Sequence, residues 1–416
     1  MIKKYSLFFC FLALITIGFS QQFVLQEDPM VQEFYVVKQQ KNFWFSSNRN
    51  LKRAKEWLAL ISLKDVYPSA INSLQNDKIL TALNHKNMID SNYKMEIDRL
   101  LTYRILRFIK DEQQGTVHFD FDDISISRDS VYVNQLLDFN CKENVSKFIS
   151  QIACKDPAYV FLSGYLHDSI TVRDTLKYKA IELAMNYRLF FALNHRSEYI
   201  VVNILSAEAE YYNNDNIVLG MRAVVGRKLN PTPVLATYIT SIVTFPFWNV
   251  PHSIAVKEIL PKVQKDENYL EQNNFNVVDA KGEALDDSDL KWRSFTEENF
   301  PYFFRQSTGS ENALGVIKFN LKNPYSIFLH ATSNQAVFTR SNRFLSHGCI
   351  RLEKPFELAN ALLDDKLDIE ILKLGKKDTE SNTIILPHKI PTFIIYMPIQ
   401  IVDNKVVFLA DIYGLL

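Results

Sequence analysis

The stretch Ser346-His347-Gly348-Cys349-Ile350-Arg351-Leu352 constrains this chain more than any other. A glycine between His and Cys lets backbone N–H groups crowd around one sulfur, because no Cβ obstructs the turn. Glu353-Lys354-Pro355 and the run Phe356 to Leu363 then read as a turn feeding an amphipathic helix, with Phe356, Ala359, Leu362 and Leu363 on one face. A thiol at a helix N-terminus feels the positive end of the dipole, so the pattern predicts a stabilised thiolate at Cys349. Upstream, Ser326-Ile327-Phe328-Leu329-His330 reads as a buried strand with a polar group at its exit. Cys plus a His able to take its proton is the minimal arrangement for thiol acyl transfer.

The chain of 416 residues opens Met1-Ile2-Lys3-Lys4, runs apolar from Leu7 to Phe19 and ends that run at Ser20-Gln21. Lysines before a short apolar core and a small residue read as a secretory signal peptide over residues 1–20, which implies a periplasmic protein. The alternative is an uncleaved signal serving as an inner-membrane anchor, although a full span needs roughly 20 apolar residues. Zero formal net charge leaves no basic excess to neutralise phosphates and excludes nucleic acid as an expected partner. Four cysteines are too few for a disulfide framework. An oxidising compartment permits Cys141 and Cys154 to pair; the other reading is two unpaired core thiols.

From Glu27 to Leu193 the pattern is mostly helical, most clearly at Ile97–Ile109 with apolar residues at i, i+3, i+4 and i+7 after Asp90-Ser91. His85, His118, His167 and His195 are scattered singly, with no metal-ligand spacing. Near Ser197 the composition turns β-branched. Tyr199–Leu205 and Met221–Gly226, separated by Asn213-Asn214-Asp215-Asn216, predict a hairpin. Extended stretches follow Thr232-Pro233, then Gly315–Phe319, Tyr325–Leu329, Thr392–Tyr396, Ile401–Val402 and Val406–Leu409. Between Trp248 and Gln306 lies an insertion with a helix-like piece at Ile254–Val263 and aromatic Phe300, Tyr302, Phe303 and Phe304, too long for a plain loop. The expected fold class is α+β: a mainly α-helical domain over 21–196, then a mainly β domain over 197–416 carrying an insertion at 246–310.

His330, fifteen intervening residues, then Ser346-His347-Gly348-Cys349 resembles the signature of the L,D-transpeptidases with a YkuD-type catalytic domain. Trp248-Asn249-Val250-Pro251, Ala255 to Pro261, Asn312-Ala313-Leu314-Gly315 and Asp411-Ile412-Tyr413-Gly414 resemble the large Gram-negative branch of that family. The resemblance implies a helical scaffold, a capping subdomain over the cleft, and no cofactor. The peptidoglycan-binding pattern FQ-x-x-HGL-x-x-DG that can interrupt such scaffolds does not occur in the sequence. It further implies peptidoglycan stem peptides as substrates, carbapenems as inhibitors and cell-wall synthesis proteins as candidate partners.

In that reading Cys349 is the nucleophile and His330 the base, oriented by a backbone carbonyl beside Ala331. The N–H groups of His347, Gly348 and Cys349 form the oxyanion hole, and Ser346 and His347 order the pocket. Arg351 holds a stem-peptide carboxylate, a bidentate task Lys does less well, and Trp248 lies on the substrate side. Two rival readings use the same residues. His330, His347 and Cys349 leave a zinc site one ligand short, and the polar neighbours of Cys349 are poor company for a structural core thiol. Within the family, hydrolysis by an L,D-carboxypeptidase or attachment of proteins to the wall uses the same Cys and His. A wall-binding scaffold without turnover is the non-enzymatic alternative.

Overall fold

In a computed structural model of the chain, residues 28–64, 70–166, 173–194, 197–214, 216–288, 290–364, 367–377 and 379–416 are described. The expected signal peptide over residues 1–20, His167 and His195 lie outside them. The chain divides into two compact units: residues 1–117, 126–167 and 185–193 in one, and 118–125, 168–184 and 194–416 in the other.

The first unit is helical and built around one core. Helices Pro29–Val37, Asn48–Lys64, Ser91–Gln114, Asp129–Phe139 and Val145–Ile152 turn Phe34, Trp57, Leu101, Ile105 and Phe148 inward. The periodic run at Ile97–Ile109 lies inside Ser91–Gln114, whose N-cap Asp90 accepts a hydrogen bond from Tyr93 N–H. Asp98 is fully buried there, yet satisfied by Tyr35 and by the N–H groups of Phe43 and Trp44 at 2.8 Å each. Cys141 is buried and Cys154 half-buried, and both are free thiols, so the pairing that an oxidising compartment permits is absent. Burial pushes Cys141 up to about 12.

The second unit is a β domain. Its strands are β1 (Phe121–Asp122), β2 (Glu198–Asn203), β3 (Glu208–Asn213), β4 (Asn216–Gly226), β5 (Leu235–Thr244), β6 (Trp248–Asn249), β7 (Phe275–Val278), β8 (Phe303–Gln306), β9 (Ile317–Leu321), β10 (Phe328–His330), β11 (Phe344–Ser346), β12 (Ile350–Leu352), β13 (Asn382–Ile395), β14 (Ile399–Val402) and β15 (Lys405–Phe408). The main sheet runs β1-β5-β13-β2-β3-β4-β12-β10-β9, and β9 also pairs with β5, closing the sheet on itself and leaving few free edges. The Asn213–Asn216 turn joins β3 to β4 rather than the two predicted runs, because Glu208–Asn213 is itself a strand. That segment alternates buried Ala209 and Tyr211 with acidic and polar residues, and acidic composition hid it. Inside the closed sheet, Ile317, Phe319, Leu329, Ile350 and Leu352 are fully buried.

The insertion is a small subdomain with its own sheet, β6-β8-β7, and its own core of Val256, Ile259, Val263, Trp292, Phe300 and Phe304. Its helical piece runs His252–Ile254, then a π-turn over Ala255–Ile259, then Leu260–Val263. Pro261 has no N–H and crowds the carbonyl four residues back, which accounts for the widened turn. Asn312, only 2% exposed, fastens both ends of the insertion: its Nδ2 donates to Pro246 O at 3.1 Å and to Ser307 O at 2.9 Å.

Candidate active site

Strand register builds the site. β10 and β12 run parallel as neighbours, with Leu329 opposite Ile350 and His330 opposite Arg351. β9 runs antiparallel on the other side of β10, with Lys318 opposite His330. Side chains alternate across a strand, so Leu329 and Ile350 enter the core while Lys318, His330 and Arg351 share the outer face. Cys349 immediately precedes β12, and its sulfur stands 3.7 Å from Ser326 O, just ahead of β10.

The Cys349 thiol points at Ser326 O, 3.7 Å from Sγ, and the Phe328 backbone N–H favours its anion. Burial outweighs these aids and raises the thiol pKa, against the pull of Phe328, Lys318 and Arg351. The expected helix dipole is missing: Cys349 leads into β12, and the helix starts only at Pro355. Two β-forming residues around Arg351 extend the chain where a turn alone was expected. The downstream helix itself is as predicted, Pro355–Leu362 with Leu358, Ala359 and Leu362 buried.

His330 is 4% exposed, and burial lowers its pKa to about 3, with the Arg351 and Lys318 charges adding to the shift. Backbone groups of Ala331 and Leu314 oppose that shift, although Nδ1 meets no partner at full hydrogen-bond geometry. The resting pair is therefore a neutral imidazole and a neutral thiol. Leu314 is positioned by Asn312, whose Oδ1 accepts from its N–H at 2.8 Å. Gly315, at φ +63°, allows the close approach, because a Cβ there would sit 2.7 Å from Ala331 Cβ.

The signature loop is held from several sides. Ser346 Oγ donates to Cys349 O at 2.6 Å and accepts from Gly348 N–H at 3.1 Å. Ser346 thus orders the loop, but it also occupies the Gly348 N–H; of the three proposed oxyanion donors, this one is taken. Gly348 adopts φ +114°, and Thr232 Oγ1 donates to its carbonyl at 2.8 Å. Thr232 is steadied in turn by Tyr413, whose hydroxyl donates to Gly226 O at 2.6 Å and accepts from Thr232 N–H at 3.3 Å. His347 is exposed, and its Nε2 lies 2.6 Å from Glu258 Oε1 of the insertion and 2.8 Å from an Arg227 nitrogen. With Nε2 protonated the imidazole donates to the Glu258 carboxylate, and with Nε2 bare it accepts from the Arg227 guanidinium, so either tautomer ties His347 to this pair.

Trp248 sits in β6, pairs with Gln306 and lies 6.0 Å from the Phe275 ring, inside the insertion's packing rather than at the sulfur. Half-buried Phe275 is its recorded ring neighbour, and both pack against the insertion's core. Sequence reasoning passed over Lys318, Thr232, Glu258 and Arg227. Lys318 was legible in principle, as the charged residue alternating with buried Ile317 and Phe319. The others act through contacts distant in sequence. Among the described residues no group of three His, Cys, Asp or Glu side chains gathers to hold a metal ion.

A closed β domain carrying a Cys close to a buried His holds the side-chain pair that thiol acyl transfer requires. Residues 197–377 match the YkuD profile, the L,D-transpeptidase catalytic domain, and residues 29–166 match the Scaffold domain. Residues 197–377 of the chain are thus an L,D-transpeptidase catalytic domain, preceded by a Scaffold domain. A curated Haemophilus influenzae protein named "Putative L,D-transpeptidase" is 34% identical over 242 residues, 56% of this chain and 47% of the relative. The chain thus spans about half the length of the curated relative it matches. Among solved structures, the catalytic domain of an E. faecium L,D-transpeptidase acylated by ertapenem is 12% identical, covering 46% of this chain and 98% of that one, at a TM-score of 0.22. An L,D-transpeptidase from Mycobacterium smegmatis is 11% identical over 48% and 58% of the two chains, with a TM-score of 0.20.

Proposed function

We propose that the chain is a periplasmic peptidoglycan L,D-transpeptidase that forms 3→3 cross-links between stem peptides. The observation that carries the reading is the β9-β10-β12 register, which aligns a buried imidazole and two cations on one face, next to the Cys349 thiol. His330 takes the thiol proton as Cys349 Sγ attacks the carbonyl on the L-centre of a donor tetrapeptide. An S–C bond forms. As the intermediate collapses, the C–N bond breaks and the D-Ala amine leaves with the proton from His330. An acceptor amine then attacks the thioester, gives its proton to His330 and displaces the thiol. The His347 and Cys349 N–H groups serve the oxyanion, with the Gly348 N–H held by Ser346. Arg351 binds a carboxylate of the stem peptide.

The insertion covers the cleft as a cap. Its contact with the signature loop through Glu258 and His347 supports that role, and closing the cleft against water favours an amine over hydrolysis. By the same chemistry Cys349 is open to carbapenem acylation. The test is incubation with disaccharide-tetrapeptide and mass analysis of products. A 3→3 dimer formed by wild type and lost in Cys349→Ala is expected; a tripeptide product alone would replace transfer with L,D-carboxypeptidase activity. Residual turnover within tenfold of wild type in Cys349→Ala would remove the nucleophile.

A further inference from the structure

The cations around the site fall into two groups. Arg222 is matched by Glu353, Arg227 by Glu258, and Arg343 donates to the carbonyls of Ser206 and Ala207. Lys318 and Arg351 have no acidic partner and no hydrogen-bond acceptor among the described residues, and Arg351 Nε is buried unpaired. Lys318 Nζ instead lies over the Phe328 ring, 4.2 Å from its centre. Both side chains are half-buried on the outer face, in one row with His330. Two partly desolvated like charges with no counter-charge are costly to hold together, and that cost is relieved only when an anion arrives. Burial also lowers the pKa of each, the thiol being the one group that opposes it.

We propose that Lys318 and Arg351 together form an anion subsite beside the Cys349 sulfur that takes the terminal carboxylate of the residue leaving the donor. Lys318 is the new member. The inference rests on the transpeptidase reading for the identity of the anion, and on the paired cations alone for its charge. A carboxylate on the carbon bonded to the scissile nitrogen reaches groups flanking the sulfur, whereas one a residue further along the chain does not. The subsite therefore selects donors that end one residue past the scissile bond, tetrapeptides over pentapeptides. It makes Lys318 a specificity-determining residue.

Two arms test this on the full chain, and the first needs no peptidoglycan chemistry. Cys349 is alkylated with iodoacetate and with iodoacetamide, which differ in charge, and the adduct is located by peptide mass. In wild type the iodoacetate-to-iodoacetamide rate ratio should exceed that of a small neutral thiol by about tenfold, the order given by one partly screened charge at contact range. Lys318→Met keeps the apolar stem against Phe328 and should lower that ratio by about the same factor, while Lys318→Arg retains it. A ratio unchanged in Lys318→Met overturns the subsite. In the second arm, donor tetrapeptides ending in free acid or in carboxamide are compared by kcat/KM. Wild type should prefer the acid by at least about tenfold, and Lys318→Met should erase most of that preference. Equal use of both donors by wild type overturns the donor assignment. Absence of turnover with either donor, together with a falling alkylation ratio in Lys318→Met, leaves the anion subsite supported and counts against the transpeptidase reading.

Discussion

Thr232→Val removes one hydroxyl from behind the nucleophile at almost no change in volume. Thr232 is 2% exposed, donates to Gly348 O at 2.8 Å and accepts from Gly226 N–H at 2.9 Å. Valine leaves a buried carbonyl and a buried N–H without partners, each costing about 1–3 kcal/mol, so the local loss is about 2–6 kcal/mol. The loss falls on the φ +114° turn that carries the sulfur. Hydrogen exchange over residues 226–232 and 346–349 reads it directly. At about 1.4 kcal/mol per tenfold, opening should quicken by at least roughly thirtyfold. Carbapenem acylation and cross-linking should fall by about ten- to a hundredfold, the range for a misplaced reacting group. Thr232→Ser keeps both bonds and should stay close to wild type. Exchange in Thr232→Val within threefold of wild type would refute the assignment of Thr232 as the brace of the loop.

Three further outcomes follow from the geometry. The folded protein holds His330 neutral to about pH 3. The unfolded chain protonates it near its ordinary value of about 6.5, so the unfolded state binds the extra proton between those limits. Stability is therefore full above about pH 6.5 and falls as pH drops toward 3, by up to about 5 kcal/mol from this residue. Urea titrations of His330→Gln should lack most of that slope, and an unchanged slope would assign it elsewhere. Gly315→Ala, at φ +63° and with a Cβ 2.7 Å from Ala331 Cβ, should cost about 2–4 kcal/mol and slow cross-linking more than iodoacetamide alkylation of Cys349, because β10 and His330 shift while the sulfur stays. Glu258→Gln weakens an exposed contact to His347, so stability should change by less than about 1 kcal/mol. If that contact closes the cap, hydrolysis should gain on transfer in product ratios, and an unaltered ratio would separate Glu258 from closure.

The sequence announced the chemistry more fully than the geometry. Cys349, His330 and Arg351 stood out as candidates because their spacing and residue types are unusual in a plain strand-rich domain. The insertion stood out because helix-forming and aromatic residues interrupt β-branched runs, and a separate small sheet and core occur there. What stayed hidden depends on partners far apart in the chain. Thr232 meets Gly348 across 116 positions, and Asn312 meets Pro246 across 66. No local pattern encodes either contact. The dipole argument for Cys349 failed for a related reason: Pro355 marks a helix start, but Ile350-Arg351-Leu352 pairs with β4 and β10 and is drawn into the sheet first. Tertiary pairing overrode the local turn signal.

That pairing is what makes the site. In a strand, the side-chain period of two means that a slip of one residue would turn His330 into the core and bring Leu329 to the outer face. The register is pinned on both edges of β10: Leu329 faces Ile350 on one side and Phe319 on the other. All three side chains are fully buried. The same hydrophobic contacts that stabilise the closed sheet therefore fix which face carries the imidazole and the cations. Once there, the charges set the resting state. Lys318 and Arg351 disfavour an imidazolium at His330, and burial disfavours a thiolate at Cys349. Neither proton state changes without a partner for the charge. An anion seated between Lys318 and Arg351 would offset the charge contribution to that penalty, while the larger contribution, burial, would remain.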